Sequence, residues 1–303
     1  MRIFPAAVFF AAGLFAQSID VPLTVEETAG VARKAESITF GVPLPRGALR
    51  EVSQLRLYDP EGNVVPAAFR VANRWWDEAQ TQVAPIQWIH GDFFADVPAG
   101  GRVVYRLRNS GVPAVPPPAR LRVQTEEDSI KVDTGPLQFT VHRKGPFLDA
   151  PGLGSTDFRL RSAERIYKAG NQEDSRLEVE EENPLRIVLK RTGSHTWVDK
   201  KDRALDYVLR IIAYAGQPHI RLVYSFINRQ GRTMADFVRL DGLWLEARLI
   251  RMCRRRAWSN SRRSRGVPAG LKRGKSVSVC DGSGSCTRRH SRFVPITRCA
   301  WRY

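Results

Sequence analysis

The sequence predicts an all-β protein made of a small β-barrel, an antiparallel β-sandwich and a disordered basic tail. Apolar and polar residues alternate with a period of two in short stretches such as Val21–Val25 and Leu137–His142. Corners rich in Gly and Pro separate these stretches, as at 43–47 and 97–101. Residues 20–249 show no helical periodicity of any length. Regularly spaced short strands with such corners are typical of barrels and sandwiches.

The N-terminus has the pattern of a secretory signal peptide, which we assign to residues 1–16. Met1 and Arg2 precede an apolar run from Ile3 to Ala16, and polar residues follow. That run is too short to span a bilayer. A buried N-terminal strand or helix remains the alternative. We expect a secreted or periplasmic protein that has no membrane association after cleavage, since no second apolar segment is long enough for a span.

The segment 111–119 is predicted to link two domains. It contains Val112-Pro113-Ala114-Val115 and then three consecutive prolines. This composition favours a stiff, extended chain, and its prolines have no backbone N–H groups to donate to a neighbouring strand. Before it, residues 20–110 form the barrel-like domain. After it, the longer strands of residues 120–249 form the sandwich, which we expect to be incomplete. An acidic cluster at Glu178 and Glu180–Glu182 is interpreted as a solvated edge or loop.

The last part of the chain, residues 250–303, differs in composition from the rest. The segment 251–303 holds 15 of the 48 Lys and Arg residues and only one of the 31 acidic residues, and so carries +14 of the formal net charge of +17. It also contains all four cysteines, so the body has none with which to form disulfides. The spacing of Cys280, Cys286, His290 and Cys299 fits no common zinc pattern, and we predict no metal site. Three interpretations stay open: an acidic-polymer-binding or nucleic-acid-binding tail, a metal site, and an out-of-frame translation, which we favour. An exported protein rarely meets nucleic acid, so we predict no nucleic-acid partner.

Several segments of the body resemble the PcRGLX/YetA-like proteins, which are related to exo-rhamnogalacturonan lyases. Each segment alone is short, and the resemblance depends on their order and spacing over residues 20–245. The segments are 21–27, 40–47, 57–59, 62–66, 74–75, 85–88, 92–100, 133–139 and 210–218. The resemblance implies an N-terminal RIFT-type barrel, a central β-sandwich and a C-terminal α/α toroid that forms much of the active-site region. The recognisable sequence ends near Leu249, so we expect the toroid to be absent.

Lyase chemistry on a uronate requires a base that removes the proton α to the carboxylate and a cation that stabilises the enolate. His195, in a predicted loop, and His142, beside Arg143 and Lys144, are the candidate catalytic residues. His219 follows a turn proline and His90 is interpreted as a core-edge residue. No cofactor is predicted.

Trp75 and Trp76 are the candidate substrate-binding residues, because an indole face packs well on the C–H face of a pyranose. The more frequent interpretation of such a pair is one core and one edge residue.

Two functions follow from the sequence. The first is the N-terminal portion of an exported rhamnogalacturonan lyase-like protein that is inactive alone, with a pectic or other acidic polysaccharide as its partner. The second is a non-catalytic carbohydrate-binding or scaffolding module. Whether the chain is itself an enzyme stays open, and the sequence makes no prediction of its oligomeric state.

Overall fold

The computed structural model describes residues 18–76, 84–170, 175–197, 202–229, 237–249 and 294–295. These residues form antiparallel β-sheets, and a short 3-10 turn, η1 at Val52–Gln54, is the only helix among them. The all-β prediction is therefore confirmed. In the described ranges no helix has the length and apolar character needed to cross a bilayer. The predicted signal peptide lies outside the described residues.

The first half of the structure consists of two small sheets around one hydrophobic core. One sheet has the order β1-β7-β3-β4 and the other β2-β6-β5. The core contains Leu57 and Leu107 from the first sheet and Ile89 and Phe93 from the second, all at most 2% exposed. The strands are β1 (Asp20–Glu26), β2 (Arg33–Pro43), β3 (Leu55–Tyr58), β4 (Val64–Val65), β5 (Ala67–Arg74), β6 (Ile86–Val97) and β7 (Arg102–Asn109).

The second half is a sandwich of a four-stranded sheet and an eight-stranded sheet. The small sheet has the order β11-β10-β9-β8, and the large one β17-β16-β15-β13-β12-β18-β19 with β14 paired to β15. The small sheet comprises β8 (Arg122–Thr125), β9 (Ser129–Asp133), β10 (Gln138–His142) and β11 (Leu148–Asp149). The large sheet comprises β12 (Leu153–Ser162), β13 (Arg165–Lys168), β14 (Arg176–Glu182), β15 (Arg186–Thr196), β16 (Arg203–Tyr214), β17 (Ile220–Ile227), β18 (Gly242–Leu249) and β19 (Val294–Pro295).

The inward faces of the two sheets meet in a second core. Phe139 and Val141 on the small sheet pack with Ile187 and Leu209 on the large one, and all four are at most 4% exposed. Between the two halves, residues 110–121 pair with no strand. Whether each half is a separate domain stays a prediction. Of the predicted disordered tail, only 294–295 is described, and it pairs with β18.

The two halves meet through a buried ionic network that we call the junction network, formed by Thr39, Asp92, Glu181, Asn183 and Arg186. Arg186 is 7% exposed, and its Nη1 lies 2.9 Å from Asp92 Oδ1 while its Nη2 lies 2.6 Å from Glu181 Oε2. Arg186 Nη1 also donates to Thr39 Oγ1 at 2.7 Å, and Asn183 Nδ2 donates to Asp92 Oδ2 at 2.9 Å. Residues of both halves therefore neutralise one another's charges where water is excluded.

A β-bulge places Glu181 in this network. The register of β14 against β15 shifts between Val179 and Glu181, so that Val179 pairs with inward-facing Leu189 and Glu181 pairs with Val188. An inserted residue reverses the face to which the following side chains point. The acidic cluster is an edge strand, as expected, but the expectation that it is solvated is wrong for Glu181, whose side chain is only 17% exposed.

Candidate functional site

His195 lies inside the sandwich, at the end of β15, and is fully buried. Its Nδ1–H donates to the carbonyl oxygen of Leu205 at 2.9 Å, and its Nε2 accepts the hydroxyl proton of Tyr224 at 2.7 Å. The prediction that His195 lies in a loop is wrong. The glycine and serine that precede it belong to the strand.

Burial also fixes the protonation of His195. Removal of the ring from water lowers its pKa to about 4, although the Leu205 carbonyl and the nearby Asp206 carboxylate favour the protonated form. The imidazole is therefore neutral at physiological pH. Because both nitrogens are hydrogen-bonded and no part of the ring reaches the surface, His195 cannot meet a polymeric substrate in this conformation.

Around His195 the interior contains further polar side chains that stabilise the fold. Tyr224 stacks on Tyr207, with ring centroids 5.7 Å apart. Burial raises the pKa of Tyr224 well above its usual value. Arg191, which is fully buried on β15, donates from Nη1 to the carbonyl oxygen of His142 at 2.7 Å and lies 3.9 Å from the ring centroid of Phe147. Since Arg191 belongs to the large sheet and its acceptor to the small one, this cation ties the two sheets together.

His142 lies at the end of β10, on the outer face of the small sheet. Its Nε2 is 2.7 Å from Oδ2 of Asp149, and its side chain is 29% exposed. The side chain therefore reaches solvent, as the strand alternation predicts, and it is bound to a carboxylate. Arg143, the cation that follows it in sequence, is paired instead with Asp128.

A groove of about 540 Å³, lined by both polar and apolar residues, runs along the same outer face of the small sheet. Cross-strand pairing brings its side chains into rows: Thr140 lies opposite both Lys131 and Asp149, and Arg122 lies opposite Asp133. Lys131 is 2.5 Å from Glu126, while the structure gives Arg122 no ion pair among the described residues. The polar side chains of the groove are Arg122, Gln124, Lys131, Asp133, Gln138, Thr140 and Asp149. We call this surface the sheet groove.

The chemistry of the sheet groove suits a hydroxylated, charged ligand. Amides, a hydroxyl, carboxylates and two cations can donate to and accept from sugar hydroxyls, and the cations can pair with carboxylates. Sequence reasoning did not identify this surface. The available signal was that every second residue of three consecutive short strands is polar. Any solvated sheet face shows the same pattern.

The two tryptophans predicted to bind substrate occupy different environments. Trp75 is half-buried and its Nε1 donates to the carbonyl oxygen of Leu44 at 3.2 Å, whereas Trp76 is 67% exposed. They follow β5 in the first half of the structure, so the fold does not bring them together with His142 or His195. Sugar contact by either residue stays a prediction.

The two other histidines of the described residues lie on the surface side of their elements. His219 is exposed in the turn before β17. His90 is half-buried on the outer face of β6, where its Nδ1 is 2.6 Å from Nη2 of Arg70. Within the described ranges no group of three His, Cys, Asp or Glu side chains is placed to hold a metal ion. The cysteines and histidine of the tail lie outside those ranges.

Two solved structures show a weak overall similarity to the chain. An α-mannosidase from Enterococcus faecalis V583 aligns with a TM-score of 0.41 and 10% identity, over 75% of this chain and 31% of that one. A glycosyl hydrolase family 38 protein from Enterococcus faecalis aligns with a TM-score of 0.38 and 9% identity, over 75% of this chain and 32% of that one. Scores this low do not establish a common fold.

Sequence comparisons are more specific. Residues 159–256 match the family described as the PcRGLX-like protein central beta sandwich domain. The uncharacterised protein YetA of Bacillus subtilis strain 168 is 25% identical over 236 residues, which cover 72% of this chain and 26% of YetA. The chain thus spans about a quarter of the length of this relative. These two matches confirm the resemblance that the sequence predicts: the chain is similar to the PcRGLX/YetA-like proteins, and residues 159–256 match the model of their central β-sandwich domain.

Proposed function

We propose that this chain is a carbohydrate-binding portion of an exported rhamnogalacturonan lyase-like protein, and that it binds acidic polysaccharide without cleaving it by itself. The match of the sandwich to the PcRGLX-like domain supports the class of protein. The observation that carries the proposal is the sheet groove, in which Arg122 and Lys131 stand among amide, hydroxyl and carboxylate side chains. A pectic chain offers both hydroxyls and carboxylates to such a surface.

The described residues argue against lyase turnover by this chain. Proton abstraction requires an accessible base within hydrogen-bond reach of the substrate, close to a cation that receives the enolate charge. His195 is buried with both nitrogens engaged. His142 is accessible and bound to Asp149, but Arg143, the cation next to it in sequence, is engaged with Asp128. We therefore expect the base to come from outside the described residues.

The second candidate is a binding or scaffolding module that takes no part in lyase chemistry, and the open form of the sheet groove favours it. An open groove on a sheet surface can admit an internal segment of a polymer and does not require a chain end. Binding would then be weak for a single residue and would increase with oligomer length, because each further sugar adds contacts along the strands.

Calorimetric titration of the full chain with short oligogalacturonides tests the binding proposal. We expect binding that weakens in the variant Arg122→Gln, while Arg221→Gln, a change at an exposed arginine on β17, leaves the affinity unaltered. A neutral oligosaccharide of equal length is the matched ligand control. Because the tail carries most of the net positive charge, the titrations are run at raised ionic strength, which screens its non-specific attraction.

Two results would contradict the proposal. Equal affinity for neutral and acidic oligomers would exclude the assigned role of the cations. Release of unsaturated uronate products, followed by their ultraviolet absorbance, would show that the chain catalyses the elimination by itself.

A further inference from the structure

Trp88 forms an exposed aromatic platform on the outer face of β6. It is 40% exposed although it lies in the central strand of its sheet. Its indole lies over Gly41 on β2, so that a Cβ added at that glycine would be 2.7 Å from Trp88 Nε1. Gly41 therefore provides the space in which the indole lies against the sheet, and part of the ring remains open to solvent.

Two nitrogen-bearing side chains lie on the same outer face, His90 beside Gly41 and Trp88, and Arg70 beside His90. His90 follows Trp88 on the same face of β6, and its Cδ2 would lie 3.5 Å from the same added Cβ at Gly41. Arg70 on β5 lies opposite His90 and donates from Nη2 to His90 Nδ1 at 2.6 Å. Because Nδ1 accepts this bond, the ring proton of neutral His90 is on Nε2, which is then a donor. Arg70 remains 44% exposed at its side chain.

The junction network fixes the position of Arg70. Its Nε lies 3.1 Å from Oε1 of Glu181, whose other oxygen pairs with Arg186. Arg186 in turn pairs with Asp92, two residues beyond His90 on β6. The exposed arginine is thus connected to buried charges of both halves, which reduces its freedom before any ligand arrives.

We propose that Trp88, His90 and Arg70 form a binding site for one hexuronate residue at the junction of the two halves. The inference rests on the proposed function and extends it by naming a place where the sugar ring is held. The indole packs against the C–H face of the pyranose. The N–H groups of Arg70 and His90 donate to the carboxylate, a pairing that is stronger than one between neutral groups.

The test is a titration of the full chain with digalacturonate, followed by calorimetry and by the NMR signal of the Trp88 indole N–H. Trp88→Ala should weaken binding about ten-fold, which corresponds to about 1.4 kcal/mol. Trp88→Phe, which retains a ring, should lose less. Phe226→Ala is the matched control, because it removes a similarly exposed aromatic side chain on β17, outside the site. Gly41→Ala should also weaken binding, since the methyl group displaces the indole.

The outcomes separate this inference from the proposed function. If the wild-type chain binds and Trp88→Ala binds equally well, the site is wrong and the proposed function stands. If neutral disaccharides bind as tightly and with the same dependence on Trp88, the platform stands and the preference for a uronate is wrong. If the wild-type chain binds no sugar, both proposals fail. Circular dichroism of each variant shows that the fold is retained.

Discussion

Replacement of Arg186 by methionine should destabilise the protein through the junction network. Methionine fills a similar volume but leaves the two carboxylates of Asp92 and Glu181 without their main cation. Both acidic side chains are largely buried, with 6% and 17% exposure. Breaking a buried ion pair by removal of one partner costs about 3–5 kcal/mol.

The contacts that survive set the magnitude near the lower end of this range. Asp92 still accepts from Thr39 Oγ1 at 2.6 Å and from Asn183 Nδ2 at 2.9 Å, and Glu181 still pairs with Arg70. We therefore expect a loss of about 3 kcal/mol. For a chain of this size that corresponds to a decrease in Tm of about 6–12 °C.

Thermal unfolding followed by circular dichroism measures this loss, and a double-mutant cycle with Asp92→Asn assigns it to the pair. Arg102→Met is the matched control, because its ion pair with Glu26 is more than half exposed on both sides and such surface pairs contribute little. A Tm for Arg186→Met within about 2 °C of wild type would refute the reasoning. So would a coupling energy near zero in the cycle.

Three further changes test the interior. Because the pKa of His195 is lowered to about 4, the unfolded chain binds more protons than the native one between about pH 6.5 and 4. The free energy of unfolding should thus fall by about 3 kcal/mol as pH drops through that window. The variant His195→Gln, unfolded with urea at several pH values, should lack this pH dependence. An unchanged pH dependence in the variant would exclude His195 as its source. Tyr224→Phe removes the donor to His195 Nε2 and should cost about 1–3 kcal/mol in the same assay, so a neutral result would contradict the hydrogen bond. Gly91→Ala places a Cβ 2.3 Å from the ring of Phe40 and should cost about 1–3 kcal/mol, whereas Gly111→Ala meets nothing within 4 Å and should not change the Tm.

The all-β fold was predictable because its signal is local. Strict alternation over Leu137–His142 corresponds to β10 at Gln138–His142, and the segment Ile86–Ile89 begins the central strand β6. Period-two patterns arise directly from the alternation of side chains across a strand, so one stretch of sequence contains the whole signal.

The position of His195 was not predictable from local sequence. Glycine and serine are uncommon in strands, and the segment Gly193-Ser194-His195 is therefore typical of a loop. In the structure, Gly193 belongs to β15 for a packing reason: a Cβ there would be 2.7 Å from the hydroxyl oxygen of Tyr207 on the paired strand. The requirement comes from a residue on another strand, which the local pattern does not contain.

The same limit applies to the aromatic residues. Trp75-Trp76 is conspicuous because the two residues are adjacent, yet one of them is anchored to a backbone carbonyl. Trp88 stands alone beside Ile89 in a segment typical of a central strand, and it resembles a core residue in the sequence. Its exposure depends on Gly41, 47 positions earlier in the chain, and on the pairing of β2 with β6.

Polar residues of this protein thus serve two purposes that residue type alone does not separate. Arg191 and His195 have the side chains of an active site, but burial and hydrogen bonds to backbone carbonyls make them part of the scaffold. Arg70 looks like an ordinary surface arginine in the sequence, yet it is held by the buried Arg186–Glu181 pair and remains exposed beside His90. A binding group needs both properties, because positional restraint lowers the entropic cost of association and exposure permits contact. Among the arginines just compared, only Arg70 combines them, and for this reason the junction is a stronger candidate for sugar recognition than the histidine in the core.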